Sequence, residues 1–475
     1  MPRPYNILVI LSDQHRGDWL GFLGGRQPVR TPHIDALARR GVAFVNAITP
    51  SPLCAPARAA FATGRAYDRC PVKHNGQDLP TDAATIYRLL RDRGYHVATC
   101  GKLDLLKGAA DWGADGQHRI GAASRLHALG FTGGLDSGGK HDAVRAYLNG
   151  VAEPYLAYLA ERGLAETHVR DYEARGQAAS DMPLAGDDPV HFVNTAPTLL
   201  PDEAYGDNWI GRSGHDLIAG MPSDTPWFLQ VNFSGPHEPM DVTAAMQAGW
   251  ADALFAPPSD LGRLTPAQHL AIRRNYAAMI ETVDQWVGRY VALLEERGEL
   301  ERTIVVYASD HGEMLGDRRL WAKHVPFQPS VHVPLVLRGG DFSGGRRAQP
   351  AVTLLDLAAT VLDTAGIEPP ATVEGRSLRA ILAEGADRRT AFAGLGCWRL
   401  AFDGRFKLVA GYEPAMPRRE MMQRSFAEVA DLPVLLYDLG SDPEELRDVA
   451  AVHPQVTEAL RAQLDAWVTA PGGRT

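Results

Sequence analysis

Cys54, Pro56 and Arg58 lie close together in Ser51-Pro52-Leu53-Cys54-Ala55-Pro56-Ala57-Arg58-Ala59-Ala60-Phe61-Ala62-Thr63-Gly64-Arg65. Pro56 suits the first turn of a helix and Gly64 its end, so the spacing puts Cys54 at or just before a helix N-terminus. Arg58, four residues on, shares its face. The helix dipole, the free N–H groups and the guanidinium then direct positive potential at one spot, where a tetrahedral oxyanion would be held. The plainer reading of such a cysteine is a buried thiol beside a surface arginine. A second set stands at the ends of apolar, strand-like runs: Asp13-Gln14, Lys102, His237 and Asp310-His311. Polar residues at the carboxyl ends of strands in an open α/β sheet converge on one crevice. Two carboxylates, a carboxamide oxygen and an imidazole together suit a hard divalent cation. Taken singly, each reads equally well as a loop cap or a surface hydrogen-bonding group.

The elements that must position these groups follow from period and punctuation. Asn6 to Leu11, Tyr95 to Cys100, Trp227 to Phe233 and Thr303 to Ala308 read as buried strands. Helices are expected after Thr31-Pro32, over Asp82 to Arg93, from Thr265-Pro266 to Gly298, and from Thr353 through Leu362. Residues 113–225 have weak periodicity and many Gly and Asp residues, and read as an elaborated insertion of loops. After about residue 385 the texture changes to hairpins, with Asp403-Gly404 as a turn, a strand from Val434 to Leu439 and a closing helix from Pro454 to Trp467. The expected architecture is α/β: a catalytic domain over 1–385 and an antiparallel subdomain over 386–475.

Composition narrows the function classes. Over 475 residues, 45% hydrophobic and 22% charged residues with a net charge of −9 describe a globular chain with no basic run. That argues against nucleic acid or an anionic membrane surface as partner. The four cysteines have no CxxC spacing, so a reducing compartment is the expectation. The apolar run Ile7-Leu8-Val9-Ile10-Leu11 is too short to span a bilayer and no cleavage site follows it, so the expected location is cytoplasmic.

Cys54-x-Pro56-x-Arg58 with Ala59 and Thr63-Gly64-Arg65 resembles the first signature of the type I sulfatases, within the alkaline phosphatase superfamily. Gly94-Tyr95-His96-Val97-Ala98-Thr99-Cys100-Gly101-Lys102 is similar to their second signature. Pro236-His237-x-Pro239, Ser309-Asp310-His311-Gly312 and Lys323 fall where that family places site residues. Gly375-Arg376-Ser377-Leu378, Leu436-Tyr437-Asp438-Leu439 and Asp442-Pro443-Glu444-Glu445 match its recurring landmarks. The likeness spans nearly the whole chain outside 113–225.

The resemblance implies an alkaline phosphatase-like fold, a large mostly parallel mixed sheet sandwiched by helices, and hydrolysis of aryl or small alkyl sulfate esters. It implies that a maturation enzyme oxidises Cys54 to formylglycine. The hydrated aldehyde would form a sulfated hemiacetal, whose second hydroxyl expels sulfate and regenerates the aldehyde. Asp13, Gln14, Cys54, Asp310 and His311 would hold one divalent ion, Ca2+ by preference, with Mn2+ or Mg2+ as alternatives. Arg58 would orient the nucleophile, while Lys102, His237 and Lys323 would bind the ester oxygens or protonate the leaving alcohol. Asn75, in Lys73-His74-Asn75-Gly76, resembles a sulfate-contacting residue, or is simply a turn Asn before Gly.

Two positions depart from the common pattern. Gln14 and His311 give the metal site less negative charge than paired acids would, a pattern similar to phosphonate monoester hydrolases and their arylsulfatase relatives. Asp104 stands where many sulfatases have the histidine cast as base, so the base is either Asp104 or a histidine from the insertion. The alternative functions are therefore phosphonate monoester or phosphodiester hydrolysis at the same site, or an inactive oxyanion-binding homologue. A homo-oligomer is compatible with the sequence. Gly134-Leu135-Asp136-Ser137-Gly138-Gly139-Lys140-His141 nearly spells a phosphate loop. His141 replaces the Ser/Thr that would hold magnesium and no clear strand precedes it, so a flexible Gly-rich loop is expected.

Overall fold

The computed structural model describes residues 4–24, 27–109, 112, 124–176, 190–385 and 389–470. The main sheet is built from β1 (Asn6–Ser12), β2 (Val42–Phe44), β4 (His96–Lys102), β5 (Gly133–Ser137), β6 (Trp227–Asn232), β7 (Thr303–Ser309), β8 (Leu335–Arg338) and β9 (Arg346–Ala348). The short β3 (Ala47–Ile48) pairs in parallel with β10 (Val352–Thr353) beside it. The order across the main sheet is β5-β4-β6-β1-β7-β8-β2-β9. Neighbours from β5 to β7 are parallel, and β8 runs antiparallel to both β7 and β2.

Why β1 sits in the middle is legible in its side chains. Ile7, Val9 and Leu11 enter one apolar layer, with the helices Cys54–Thr63, Ile86–Asp92 and Leu354–Thr364. Leu8 and Ile10 enter the opposite layer, with the helices Gly206–Gly220 and Pro266–Glu296. A strand apolar on both faces is stable only when helices cover both. Register then does the positioning: Ser12 pairs with Ser309, Leu11 with Asn232, and Gly101 with Asn232. Residues just past these pairs must therefore emerge on one edge.

The C-terminal sheet is antiparallel: β11 (Ala391–Leu395), β12 (Trp398–Phe402), β13 (Phe406–Ala410) and β14 (Leu435–Asp438), in that order. Leu460, Leu464 and Trp467 of the helix Pro454–Thr469 cluster with Leu408, Ala410 and Leu436 of that sheet. Trp398, Leu400 and Val409 cluster instead with Met314, Val325 and Phe327. No described helix is long and apolar enough to cross a membrane.

Three expectations are corrected. The segment Gly134–His141 is not a free loop: Gly133–Ser137 is an edge strand paired with β4, and Lys140–Leu148 is a helix. The strand escapes pattern reading because a Cβ at Gly134 would lie 1.9 Å from the Thr99 carbonyl oxygen, so close approach replaces side-chain alternation. The described part of 113–225 is mainly regular, including the helices Pro154–Ala160, Ala165–Ala174 and Gly206–Gly220. The helix expected from Asp82 starts instead at Ile86, where the Thr85 hydroxyl accepts the Arg88 N–H at 3.1 Å.

Candidate active site

Cys54 is the first residue of its helix, which ends at Gly64 with φ 66°. All ten residues from Cys54 to Thr63 are buried. The helix is buried because Ala55, Ala59 and Ala62 are small enough to lie in the apolar layer under the sheet. Its N-terminus meets the ends of β1 and β7: Asp13, Cys54, Asp310 and His311 each offer one ligand atom, all within 4.8 Å of one another. His311 Nε2 lies 3.3 Å from Cys54 Sγ. The other ring nitrogen, Nδ1, is 3.0 Å from the Gly312 carbonyl and donates to it, which leaves the Nε2 lone pair facing the cluster.

Arg58 crosses beneath the same group. Its Nε donates to Asp310 Oδ2 at 2.9 Å, its Nη2 to Asp13 Oδ2 at 3.2 Å, and its Nη1 to Asn232 Oδ1 at 3.2 Å. Lys102, at the end of β4, pairs with Asp13 and stands 3.6 Å from Cys54 Sγ. Burial pushes the Asp13 carboxyl up, but its cationic neighbours, Lys102 foremost and then Arg58, outweigh it and hold the group well below the carboxylate range. Burial and Asp13 likewise push the Cys54 thiol up. The ammonium groups of Lys102 and Lys323 reverse that and leave it below its ordinary value.

The opposite wall is made by Lys323, His237 and Gln14. Lys323 Nζ donates to Gln14 Oε1 at 2.5 Å and to His237 Nε2 at 2.6 Å. His237 Nδ1 is 2.8 Å from the Glu238 carbonyl, so the ring is a neutral tautomer with its proton on Nδ1. Burial lowers the His237 pKa far below the usual imidazole value; Glu238 opposes this and Lys323 and Lys102 reinforce it. Gln14 has a left-handed backbone, φ 71°, and gives its Nε2 hydrogens to Glu238 Oε2 at 2.6 Å and Glu313 Oε2 at 2.5 Å. As a metal ligand it would share the oxygen that Lys323 already uses.

Asn75 is half-buried and accepts the Ala55 N–H at 3.0 Å, which places it at the N-terminus beside Cys54. Asp104 meets two ammonium groups through one oxygen: its Oδ2 lies 2.9 Å from Lys107 Nζ and 3.6 Å from Lys102 Nζ. Lys107 continues the chain to Asp142 at 2.9 Å.

Sequence reading missed Glu238 and Glu313, and reached His141 only as an unspecified histidine of the 113–225 insertion. His141 follows the β5 strand and brings its ring to 5.3 Å from that of His237, with Nε2 3.8 Å from Glu238 Oε1 and Nδ1 2.5 Å from the Tyr172 hydroxyl. A Cβ at Gly139 would lie 2.6 Å from Lys102 Cε, so only a bare backbone lets this turn cross the lysine. Glu238 and Glu313 carried a signal, since they sit one and two residues beyond His237 and His311 at the same strand ends.

The donor set fits a hard divalent ion: two buried carboxylates and an imidazole nitrogen converge, and buried Arg58 and Lys102 balance the carboxylate charge.

Comparison with known proteins agrees with this geometry. The Sulfatase family profile matches residues 5–367. Arylsulfatase K of Homo sapiens is 26% identical over 484 residues, covering 98% of this chain and 82% of that protein. An ulvan-active sulfatase of Formosa agariphila is 25% identical over 476 residues, covering 98% and 80%. Among solved structures, the phosphonate monoester hydrolase of Agrobacterium radiobacter superposes with a TM-score of 0.72 at 24% identity, covering 98% of this chain and 96% of that one. A structure solved with its substrate D-glucosamine-2-N,6-O-disulfate gives a TM-score of 0.70 at 17% identity, covering 98% and 97%. The profile covers well over half of the chain and takes in every residue of the candidate site just described, so the chain belongs to the sulfatase family and is a sulfuric ester hydrolase.

Proposed function

We propose that the chain hydrolyses sulfate monoesters of aryl or small alkyl alcohols at residue 54, with formylglycine made from Cys54 by a maturation enzyme. The observation that carries this reading is the convergence of Asp13, Cys54, Asp310 and His311 within 4.8 Å at a helix N-terminus. A hydrated formylglycine supplies a nucleophilic hydroxyl and a second one whose deprotonation releases sulfate. A divalent ion held by Asp13, Asp310, His311 and residue 54, with Gln14 beside it, would supply charge neutralisation; the oxygen donors suit calcium first and also magnesium, and His311 admits manganese.

The remaining work falls to the chain. Arg58 fixes both carboxylates, so their lone pairs stay aimed at residue 54. Lys102 holds a full positive charge beside that residue; burial lowers its pKa, but Asp13, Cys54 and Asp104 raise it well above the usual lysine value. An anionic ester is therefore drawn to this side of the site. On the far side the mobile proton stands on Lys323 Nζ, since His237 Nε2 accepts from it. Lys323 is accordingly the donor to the leaving alcohol, and neutral His237 orients it.

A second reading uses the same groups on phosphorus. Gln14 and His311, in place of further carboxylates, leave a site suited to one negative charge, and a phosphonate monoester or phosphodiester carries one just as a sulfate monoester does. Side-by-side kcat/KM values for an aryl sulfate and a phenyl phosphonate decide. Sulfate preference supports the first reading, and phosphonate preference by orders of magnitude replaces it.

A further inference from the structure

Eight residues other than glycine among the described residues have φ between 47° and 86°. Such backbone is uncommon outside glycine and collects where the surrounding structure enforces it, often at functional sites. Their placement is selective. Gln14 and Asp104 flank the site, and five more, Leu315, Arg318, Arg319, Ala322 and His324, lie in the segment that carries Lys323. The eighth is Glu445, more than a hundred residues away in the Asp442-Pro443-Glu444-Glu445 landmark, to which the chemistry gives no part.

Glu445 nevertheless meets the same segment. It is fully buried, accepts the Gln328 N–H on Oε2 at 2.6 Å and pairs with the fully buried Lys407 of β13. Lys407 Nζ donates to the Pro326 carbonyl at 2.6 Å. Trp398 of β12 donates its indole N–H to the His324 carbonyl at 3.0 Å, one residue past Lys323. Arg318 closes the contact from the other side, donating to the Glu445 carbonyl with its guanidinium 4.0 Å from the Phe327 ring. Met314, Val325 and Phe327 lie in the apolar cluster of the C-terminal sheet.

We propose that the C-terminal sheet is part of the reaction apparatus: Trp398, Lys407 and Glu445 are positioning residues that hold 315–328 in its left-handed course and so deliver Lys323 to the ester. A segment with several non-glycine residues at positive φ relaxes unless it is held from outside, and here three buried side chains, from β12, β13 and the turn after β14, hold the His324 and Pro326 carbonyls and the Gln328 N–H. The proposal rests on the reading of Lys323 as a group that contacts the ester.

Two full-length variants test it. Trp398→Phe removes one N–H while keeping an aromatic ring in the core, and Lys407→Met with Glu445→Gln removes the buried pair without leaving a lone charge. Each is measured by hydrogen exchange over 315–328 and by aryl sulfate turnover, alone and combined with Lys323→Ala. The expected result is faster exchange confined to that segment. For Trp398→Phe, kcat should fall about two- to tenfold, the worth of one hydrogen bond. The residual turnover of Lys323→Ala should fall no further when either variant is added. Unchanged exchange, or losses that multiply in the Lys323→Ala background, overturns the proposal. Should the double variant not fold, Trp398→Phe decides alone. Absence of aryl sulfate turnover in the unmodified chain counts against the substrate reading instead. The exchange data then decide the positioning claim by themselves, faster exchange upholding it and unchanged exchange overturning it.

Discussion

His311 Nε2 stands 3.3 Å from Cys54 Sγ although 257 residues separate them in sequence. One is held by the end of β7 and the other by the start of a helix packed under the sheet. Their meeting depends on the parallel register that brings Ser12 opposite Ser309. Asp13 and Asp310 converge on the same point, with all four ligand atoms within 4.8 Å of one another.

Arg58 is 1% exposed and bonds two buried carboxylates, so its loss leaves Asp310 without its guanidinium partner and Asp13 with Lys102 alone. Arg58→Ala is expected to lower unfolding stability by about 3–5 kcal/mol in metal-free protein and to abolish turnover. Arg58→Lys is expected to restore neither, because one ammonium cannot span Asp13 and Asp310 as the guanidinium fork does. Denaturant unfolding checks this, and a stable, active Arg58→Lys protein would contradict it.

The metal prediction concerns the same carboxylates. Dialysis against a chelator is expected to remove turnover and lower the thermal midpoint, and added calcium, manganese or magnesium to restore both, to different extents. Asp310→Asn should weaken the restoring ion. Full turnover in protein shown free of metal by elemental analysis would contradict the assignment.

How much of this was legible in the chain depends on what kind of signal each residue left. Pro56 and Gly64 punctuate a helix, and apolar runs end at Asp13, Lys102, His237 and Asp310, so the first set of site residues follows from local pattern. Gly133 and Gly134 leave no alternation to read, so their strand stayed hidden, and with it the identity of the histidine it delivers. Asp104 is visible as a departure, but its two lysine partners are a tertiary fact. The left-handed course around Lys323 is equally silent, because Leu315, Arg318, Arg319, Ala322 and His324 stand where a glycine would have advertised it. The fold is written in periodicity, and the second layer of the site is written in contacts.

Glu153 gives a pH prediction away from the metal group. Its carboxylate oxygens accept the Gly138 N–H at 2.8 Å and the Leu156 N–H at 2.9 Å, tying the turn that crosses Lys102 to the start of the helix Pro154–Ala160. Burial pushes its pKa from 4.5 up to about 7, against those two N–H groups. Between these values the folded chain keeps a proton that the unfolded chain has lost. Stability therefore falls as pH rises through that window, by at most about 3 kcal/mol. Glu153→Gln carries no such proton, so its thermal midpoint relative to the parent is expected to improve from pH 5 to pH 8. A constant or shrinking difference would contradict the sign.

His141 lies beside His237 on the wall opposite Cys54, 5.3 Å away between ring centroids. His141→Ala removes the ring packed against His237, which orients the proton donor Lys323. It is therefore expected to cost more with an alkyl sulfate than with a nitrophenyl sulfate, about tenfold against a few-fold, because only the poorer leaving group needs the proton from Lys323. The ratio of kcat/KM values over a series of leaving groups measures this. Equal losses across the series would assign His141 to packing instead.

The central claim is that residue 54 reacts as an aldehyde hydrate and not as a thiol. Peptide mass spectrometry of the segment around Cys54 measures the fraction converted, in protein produced with and without a maturation enzyme, and aryl sulfate turnover is read on the same samples. Turnover is expected to rise in proportion to the aldehyde fraction and to vanish in wholly thiol protein; equal turnover in thiol and aldehyde preparations would contradict the account.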